Sequence, residues 1–452
     1  MSDRRPAVPA GLALGAALLL CAAVPAPAPA DWLQPDPTFR DAQLALRLAV
    51  RDTVGQPLTA ARLDSLGVAH LRLADLGEAG RHLARAVALA PGDETARAGL
   101  GRIALLQDDA ARAESLIAAV ALRDPDATRD LYHARLRLGR WEPAAALAEA
   151  AGEPGRAVLL RRLAETGEPW KVTGEERVSL PWIRCWPVPI VKARLNGQQV
   201  LLAVDLGVAD LVLDPSTARR CGVMLLPEQA PLAWAGTSVA GQLALAQRLE
   251  LGGLRIEDVP AATTPLRRWS LEANPQGEAV GGAIGANLLA RFTPTLDYRR
   301  CRLELERRGA PRAFAPDAQR IPFELWGERE ITVYGTIAAG RRMAMMLHTG
   351  LPGCGVGAPP EVFEELGLKA GAFSRALRSA GSFIGGQSWS AVTVPTVTVG
   401  PLVQEKLPGC SGALASAELW RQGVRRDALL SSDFLRRQRV TIDWERRELV
   451  LE

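Results

Sequence analysis

Two segments with the same pattern carry the side chains best suited to chemistry. The segment VLLAVDLG contains Asp205, and the segment MAMMLHTG contains His348 at the equivalent position, 143 residues further along. A carboxylate can act as a general base toward a water molecule, and an imidazolium can stabilise negative charge that develops on an oxygen. Asp205 and His348 are therefore the candidate catalytic pair.

The two segments belong to a longer internal repeat. The block AGTSVAGQ at 235–242 corresponds to AGSFIGGQ at 380–387, and the block at 284–305 corresponds to the one at 430–451. All the blocks occur in the same order, with shifts of 143 to 146 residues. This order predicts a duplicated unit of roughly 130 residues, which is an ordinary domain size.

The sequence around both segments predicts β structure. The run VPIVKARLNGQQVLLAVDLG has the alternation of a strand, and Asn196-Gly197 inside it is typical of a hairpin turn. The run at 392–403 has the same character. The clearest helical pieces of this half are 215–223 and 359–368, each after a strand that ends near a glycine.

Together these motifs resemble the retropepsin-like aspartic proteases. That family has an apolar strand ending in Asp-Thr-Gly or Asp-Ser-Gly, a glycine-bearing flap hairpin, and an apolar-apolar-Gly segment before a short helix. The resemblance covers about 170–452, and two such units in one chain look like a two-lobed, pepsin-like enzyme. It implies a mostly-β domain with lobes at 168–308 and 309–452.

The resemblance also implies how such a site works. In the family, two facing carboxylates share a proton, activate a water molecule and polarise the scissile carbonyl, because two carboxylates so close cannot both ionise. The corresponding positions here are Asp205 and His348, with Gly207, Thr349 and Gly350 in supporting positions. An imidazole thus replaces one of the two carboxylates.

Two further positions depart from the family pattern. Leu206 stands where the family has a threonine or serine whose crossed hydrogen bond locks the two loops together, whereas Thr349 is retained. Ser431 stands where the second unit would have the glycine that the first unit keeps as Gly285. A buried group left without its hydrogen bond costs about 1–3 kcal/mol. These departures favour a loss of catalysis.

Two functions follow from this pattern. The first is a pseudoprotease, which binds a peptide or protein in the cleft between its lobes without cleaving it, since a fold does not imply an activity. The second is an active aspartic-type endopeptidase that uses Asp205 and His348. A proteolysis assay with Asp205→Asn as the control separates them.

Four other aspartates are expected to have structural roles. Asp297 and Asp443 occupy matching positions in TLDYRR and TIDWERR, which the resemblance places in closing hairpins away from the dyad. Asp210 and Asp214 follow the first motif, where we expect a solvated or helix-capping role.

The chain before the β region predicts helices. Residues 40–165 are rich in Ala, Leu and Arg, with apolar residues at helical spacing. Four positions recur there with a shift of 34 residues, so that Gly67, Ala79, Val87 and Pro91 reappear as Gly101, Ala113, Ala121 and Pro125. This period resembles a tetratricopeptide repeat, in which small residues let paired helices approach and a proline ends each pair. A generic stack of helical hairpins is the alternative.

The expected architecture is therefore multidomain. An α-helical, tetratricopeptide-like repeat domain at 31–167 precedes a mostly-β, two-lobed aspartic-protease-like domain. The helical domain is a candidate docking surface for a protein partner, and the cleft between the lobes is the candidate site for a peptide or protein ligand.

Residues 1–30 have the pattern of an export signal. A basic start and an apolar run at 11–24, too short to span a membrane, precede a small-x-small pattern that predicts cleavage after Ala30. Lipidation at Cys21 is the rival interpretation. Export to the periplasm is expected, with no later apolar run long enough to span a bilayer. In an oxidising compartment the five cysteines after the signal could form up to two disulfides.

Composition argues against other classes of function. Hydrophobic residues make up 48% of the chain and charged residues 23%, which is typical of a globular protein. The net charge of +4 comes without a long basic run, so we expect no nucleic-acid partner. The histidines show no metal-ligand spacing with any cysteine, so we expect no zinc site and no cofactor.

Overall fold

The structure is a computed structural model, and it describes residues 39–120, 123–234, 237–309, 312–369, 389–420 and 423–452. The expected signal at 1–30, with Cys21, lies outside the described residues. The same holds for the flap block at 380–387 and for positions 235–236 of the other flap block.

The first part of the described chain is helical, as predicted. Its helices are α1 (Phe39–Arg51), α2 (Ala60–Arg72), α3 (Leu76–Leu89), α4 (Glu94–Leu106), α5 (Ala110–Ile117), α6 (Pro125–Arg137), α7 (Trp141–Ala150) and α8 (Pro154–Thr166). Four of them begin at an aspartate whose side chain accepts a hydrogen bond from a backbone N–H of the first turn: Asp75, Asp93, Asp109 and Asp124. These caps satisfy donors that the start of a helix leaves without partners.

The 34-residue shift corresponds to a repeated contact between helices. A Cβ atom built on Gly67 of α2 would lie 2.5 Å from Cγ of Leu83 on α3, and one built on Gly101 of α4 would lie 2.2 Å from Cγ1 of Ile117 on α5. A glycine is therefore required for each pair to pack this closely. The expected role of Pro125 was wrong, because it is the first residue of α6, where the missing N–H costs nothing.

Strands and short helices make up the rest of the described chain. The strands are β1 (Lys171–Gly174), β2 (Arg177–Pro181), β3 (Ile190–Leu195), β4 (Gln198–Val204), β5 (Leu211–Leu213), β6 (Met224–Trp234), β7 (Thr237–Leu251), β8 (Leu254–Thr263), β9 (Gly282–Ile284), β10 (Phe292–Asp297), β11 (Arg302–Arg307), β12 (Gln319–Pro322), β13 (Glu324–Trp326), β14 (Glu330–Ile337), β15 (Met343–Leu347), β16 (Val356–Ala358), β17 (Ser390–Val399), β18 (Leu402–Ser411), β19 (Ala428–Leu430), β20 (Arg439–Asp443) and β21 (Glu448–Leu451). The helices among them are α9 (Pro215–Arg220), α10 (Arg267–Ala273), α11 (Ala286–Leu289), α12 (Pro360–Glu365) and α13 (Ser432–Leu435).

These strands form three sheets. An eight-stranded sheet has the order β1-β8-β5-β9-β4-β3-β7-β6, and we call it the first lobe. A seven-stranded sheet has the order β13-β14-β15-β19-β16-β18-β17, and we call it the second lobe. The third sheet, with the order β12-β21-β20-β10-β11-β2, takes strands from both halves of the chain. A helical region is thus followed by a β-rich, two-lobed fold.

The two lobes contain the same set of strand pairings. Strand β4 pairs antiparallel with β3 and parallel with β9, and β15 pairs antiparallel with β14 and parallel with β19. Strand β5 pairs parallel with β8 and antiparallel with β9, as β16 does with β18 and β19. Asp205 directly follows β4 and His348 directly follows β15, so they leave equivalent strands.

The third sheet joins the lobes through one pair of strands. Strand β10 pairs antiparallel with β20, and the hydroxyl oxygens of Thr295 and Thr441 lie 2.8 Å apart across this pair. Both side chains are buried, so their hydrogen bond leaves no hydroxyl unsatisfied there.

The predicted hairpins are present. Asn196 and Gly197 connect β3 to β4 with φ values of 47° and 84°, the positive values that a two-residue turn of this kind requires. The run at 392–403 falls in the hairpin of β17 and β18. The helical pieces predicted at 215–223 and 359–368 contain α9 and α12.

Two buried arginines dock the helical region onto both lobes. The guanidinium of Arg137 at the end of α6 donates hydrogen bonds to the backbone oxygens of Leu325, Gly327 and Glu328 in the second lobe. Arg156 of α8 pairs with Asp210 of the first lobe at 3.3 Å and with Glu328 of the second at 2.5 Å. The helices therefore hold the two lobes in one arrangement.

One disulfide is present among the described residues. It joins Cys185 to Cys301, and the cysteines 221, 354 and 410 are buried free thiols. In the part of the chain that the structure describes, no helix is both long and apolar enough to cross a membrane.

Candidate active site

The loops after β4 and β15 bring Asp205 and His348 into direct contact. Equivalent backbone bonds set both loops, since Asp205 donates its N–H to the oxygen of Ile284 at 3.0 Å and His348 donates to Leu430 at 2.8 Å. Nδ1 of His348 lies 2.9 Å from Oδ1 of Asp205. The two positions singled out in the sequence are thus neighbours in space.

Each motif glycine lies against the dyad side chain of the opposite lobe. A Cβ atom on Gly207 would lie 2.2 Å from Cγ of His348, and one on Gly350 would lie 2.1 Å from Oδ2 of Asp205. Real Cβ atoms do not approach other atoms so closely, so any larger residue would force the loops apart. These glycines therefore support the site by letting the backbone of each loop lie close to the dyad side chain of the opposite lobe.

The carboxylate of Asp205 is held by backbone donors from both lobes. Its Oδ1 accepts a hydrogen bond from the N–H of Gly207 at 2.8 Å and another from the N–H of Gly350 at 3.0 Å. Both loops therefore fix the orientation of the Asp205 carboxylate beside the imidazole of His348.

One half of the crossed lock between the loops is present. The hydroxyl of Thr349 donates to the backbone oxygen of Val204 at 2.8 Å and accepts from the N–H of Leu206 at 3.0 Å. Leu206 cannot return this bond from its own side chain, which is buried in the core instead. Of the two crossed bonds, therefore, only the one made by Thr349 of the second lobe is present.

Two neighbouring serines add hydrogen bonds within the second loop, one of them at the position where the first lobe has Gly285. Ser431 donates its hydroxyl to the backbone oxygen of Leu351 at 2.8 Å, and Ser432 donates to that of Thr349 at 2.7 Å. From the first lobe, the indole of Trp269 on α10 donates to the oxygen of Gly350 at 2.8 Å. Sequence reasoning missed Trp269, because nothing in its spacing connects it to the second loop.

The pair is almost completely shielded from solvent. The side chain of Asp205 is 1% exposed and that of His348 is 2% exposed. Oδ2 of Asp205 and Nε2 of His348 have no hydrogen-bond partner among the described residues. Nδ1 of His348, although close to Oδ1 of Asp205, makes no hydrogen bond of good geometry with a described residue either, so the buried pair has one unsatisfied atom on Asp205 and two on His348.

A family comparison identifies the kind of domain to which the first lobe belongs. The sequence profile of a family described as aspartyl protease matches residues 191–288. This chain therefore contains an aspartic-protease-like domain. The crystal structure of a retropepsin-like aspartic protease from Rickettsia conorii is similar at 16% identity and a TM-score of 0.22, covering 31% of this chain and 96% of that one. No curated protein matches the sequence.

Three of the four other aspartates singled out in the sequence occupy structural positions. Oδ1 of Asp297 accepts the backbone N–H groups of residues 299 and 300, and Oδ1 of Asp443 accepts those of 445 and 446, so both shape the turn of a hairpin. Asp214 caps α9, as predicted.

The solvated role expected for Asp210 was wrong. Its carboxylate is buried, pairs with Arg156 and accepts a hydrogen bond from Asn287 at 2.9 Å. Burial, together with the nearby carboxylate of Glu328, raises the pKa of Asp210 to about 6. The partners come from α8 and α11, far away in sequence, so local spacing could not show that this residue is buried.

Three residues of the helical region could hold a divalent metal ion. His70 of α2 and Glu78 and His82 of α3 place one ligand atom each within 4.8 Å of one another. Nδ1 of His70 lies 3.1 Å from Asp75, an arrangement that orients a histidine ligand. The expectation of no zinc site rested on cysteine spacing and did not consider ligands from facing helices.

We expect Glu272 of α10 to make stability depend on pH. Burial raises its pKa to about 8, with only partial relief from Arg268, whose Nε lies 3.9 Å away. Because the folded state then holds a proton that the unfolded state releases above its ordinary pKa of 4.5, the free energy of unfolding falls as pH rises from about 4.5 to 8. Glu272→Gln should therefore stabilise the protein by about 2 kcal/mol at pH 8.5 and leave it unchanged at pH 4.

Urea unfolding at both pH values measures this difference. Glu176→Gln is the matched control, because the Glu176 side chain is 79% exposed and should show no such pH-dependent gain. A Glu272→Gln protein that is less stable than the wild type at pH 8.5 would contradict the prediction.

Proposed function

We propose that this chain is a pseudoprotease, an exported protein with the aspartic-protease fold that has lost catalysis. It binds an apolar peptide segment between its lobes, and its helical region, a tetratricopeptide-like array, docks a protein partner. The lobes are tandem copies of one unit, a proposal supported by the repeated sequence blocks and by their equivalent strand pairings.

The near-complete burial of Asp205 and His348 is the observation that carries this proposal. Their side chains approach to 2.9 Å and are only 1% and 2% exposed, so the pair offers almost no surface to a water molecule or a substrate. The mechanism implied by the family needs a water molecule held by two groups that exchange a proton. Gly207 and Gly350 pack directly against the pair, so a small shift of either side chain does not expose it.

An aromatic wall in the same region supports peptide binding. Trp234, at the end of β6 next to the flap tip, packs edge to face against Trp269 at 5.2 Å between ring centroids. Trp389 belongs to the same apolar cluster, which contains residues of both lobes. The indole N–H of Trp389 has no acceptor among the described residues. The indole of Trp389 suits an extended peptide, because it offers apolar contact and a donor for a backbone carbonyl.

The Cys185–Cys301 disulfide supports export. Disulfides persist in oxidising compartments such as the periplasm and are rare in the cytosol. Together with the signal pattern at 1–30, this supports a periplasmic location.

A proteolysis assay tests the loss of catalysis. The purified full-length protein is incubated with a denatured, alkylated protein substrate between pH 3 and 8, and the products are measured by mass spectrometry. We expect no cleavage above that of Asp205→Asn. The double variant His348→Asp with Leu206→Thr should raise cleavage, because it rebuilds the shared-proton pair and the missing half of the lock.

One observation favours the alternative, an active endopeptidase. Oδ2 of Asp205 and Nε2 of His348 have no partner among the described residues, and a water bound to both would be placed to react. Brisk cleavage by the wild type that Asp205→Asn abolishes would establish this alternative and overturn the pseudoprotease.

A further inference from the structure

A cavity of about 370 Å³ lies where the helical region meets both lobes, away from the dyad. Its walls include Trp141 of α7, Trp170 ahead of β1, Asn287 of α11, and the turn between β13 and β14. A cavity of this size suits a small molecule.

The lining of this cavity has an excess of positive charge. Five arginines line it, against three carboxylates: Arg137, Arg156, Arg291, Arg308 and Arg329, and Glu168, Asp210 and Glu328. Arg156 is neutralised by its ion pairs with Asp210 and Glu328. Arg137 is neutralised by Asp108 at 3.3 Å and by the backbone oxygens it binds.

The other three arginines are not balanced in this way. The guanidinium groups of Arg291 and Arg329 make no ion pair or hydrogen bond with any residue of the described ranges, and Arg308 reaches a carboxylate only at Glu445, 3.9 Å away. Burial and the nearby charges of Arg329 and Arg308 lower the pKa of Arg291 to about 10. Burial lowers the pKa of Arg329 as well; the charges of Asp108 and Glu328 offset part of this effect, and Arg308 adds to it. These charges repel one another across an open space.

Two further features suit an anion at this position. The guanidinium of Arg291 lies over the ring of Trp170, 4.8 Å from its centroid, which orients that group. The indole N–H of Trp170 is a buried donor without an acceptor in the described part of the chain. Guanidinium groups bind carboxylates and phosphates through paired hydrogen bonds, which would use both the charge and the donors.

We propose that this cavity binds a small molecule carrying a carboxylate or phosphate group, held by Arg291, Arg308 and Arg329. The arginines come from different parts of the chain, and the cavity is shared by the helices and both lobes. The bound anion therefore stabilises the docking of the helical region, because binding to the folded state alone raises its stability.

The test uses the full-length protein with inorganic phosphate and, separately, citrate, at constant ionic strength set with sodium chloride. Calorimetry measures the Kd and differential scanning fluorimetry measures the Tm. We expect at least one probe to bind and raise the Tm. Arg291→Gln and Arg329→Gln should each weaken that binding at least about tenfold, as the loss of a charge-assisted contact does. Arg300→Gln, on an exposed hairpin turn, is the matched control and should bind as the wild type does.

The Tm of each variant is also measured without a probe, which separates a loss of binding from a loss of folding. Arg329→Gln relieves repulsion, so without a probe it should unfold at a Tm equal to or above that of the wild type. Binding of phosphate alone or citrate alone identifies which anion the cavity takes, and either result supports the proposal. Absence of binding by both probes at millimolar concentration, or unchanged affinity in both arginine variants, would overturn it.

Discussion

Replacing Gly350 by alanine is expected to destabilise the protein by at least about 3 kcal/mol. The new Cβ atom would lie 2.1 Å from Oδ2 and 2.4 Å from Cγ of Asp205, well inside van der Waals contact. Relief requires Asp205 to leave the backbone N–H groups of Gly207 and Gly350 that now hold its Oδ1. A buried carboxylate would then lose hydrogen bonds as well as packing space.

Urea unfolding of Gly350→Ala and of a matched glycine variant measures this cost. Gly77 is the control, because a Cβ atom there would meet nothing within 4 Å and the residue lies in α3. Gly77→Ala should be neutral or stabilise by up to about 1 kcal/mol, since alanine is the better helix former. A Gly350→Ala midpoint equal to that of the wild type would show that the loops are not packed as described.

The second large effect is expected for Arg137→Met, which should cost about 3–5 kcal/mol. The Arg137 side chain is 3% exposed, and it links Leu105 and Asp108 of the helical region to the turn before β14. Methionine keeps most of the volume but leaves several buried carbonyl oxygens and Asp108 without a donor. The change should therefore weaken the attachment of the helices to the second lobe.

Chemical denaturation and limited proteolysis together test this expectation. The control is Arg162→Met on α8. The Arg162 side chain is 55% exposed, and it forms an ion pair with Glu165, three residues further along the same helix. It should change stability by less than about 0.5 kcal/mol. Equal losses for both variants would mean that the buried arginine is not what holds the helices in place.

The dyad positions make contacts that stabilise the interface between the lobes. In this protein Asp205 receives hydrogen bonds from both loops and His348 closes over it, so the pair now belongs to the interior of the lobe interface. Ser431 and Ser432 add bonds within the second loop.

Local and repeated features could be predicted from the sequence. The Asn196-Gly197 turn follows from backbone preference alone, and the helices follow from apolar periodicity. The equivalence of Asp205 and His348 follows from the repeated blocks, because two segments with the same pattern end in the same kind of loop. These are properties of short segments, or of the comparison of one segment with another.

Other features depend on contacts between residues distant in sequence. The burial of Asp205 and His348, the pairing of Asp210 with Arg156, and the arginine-lined cavity each bring together side chains from separate regions. Only four of the 54 basic residues are lysines, so the functional arginines cannot be told apart by type or by spacing. The chain's pattern therefore determined which loops face each other. Only the tertiary structure decided which charges are left unpaired. Burial and distance depend on how separate segments pack together, and the sequence of each segment does not reveal this packing.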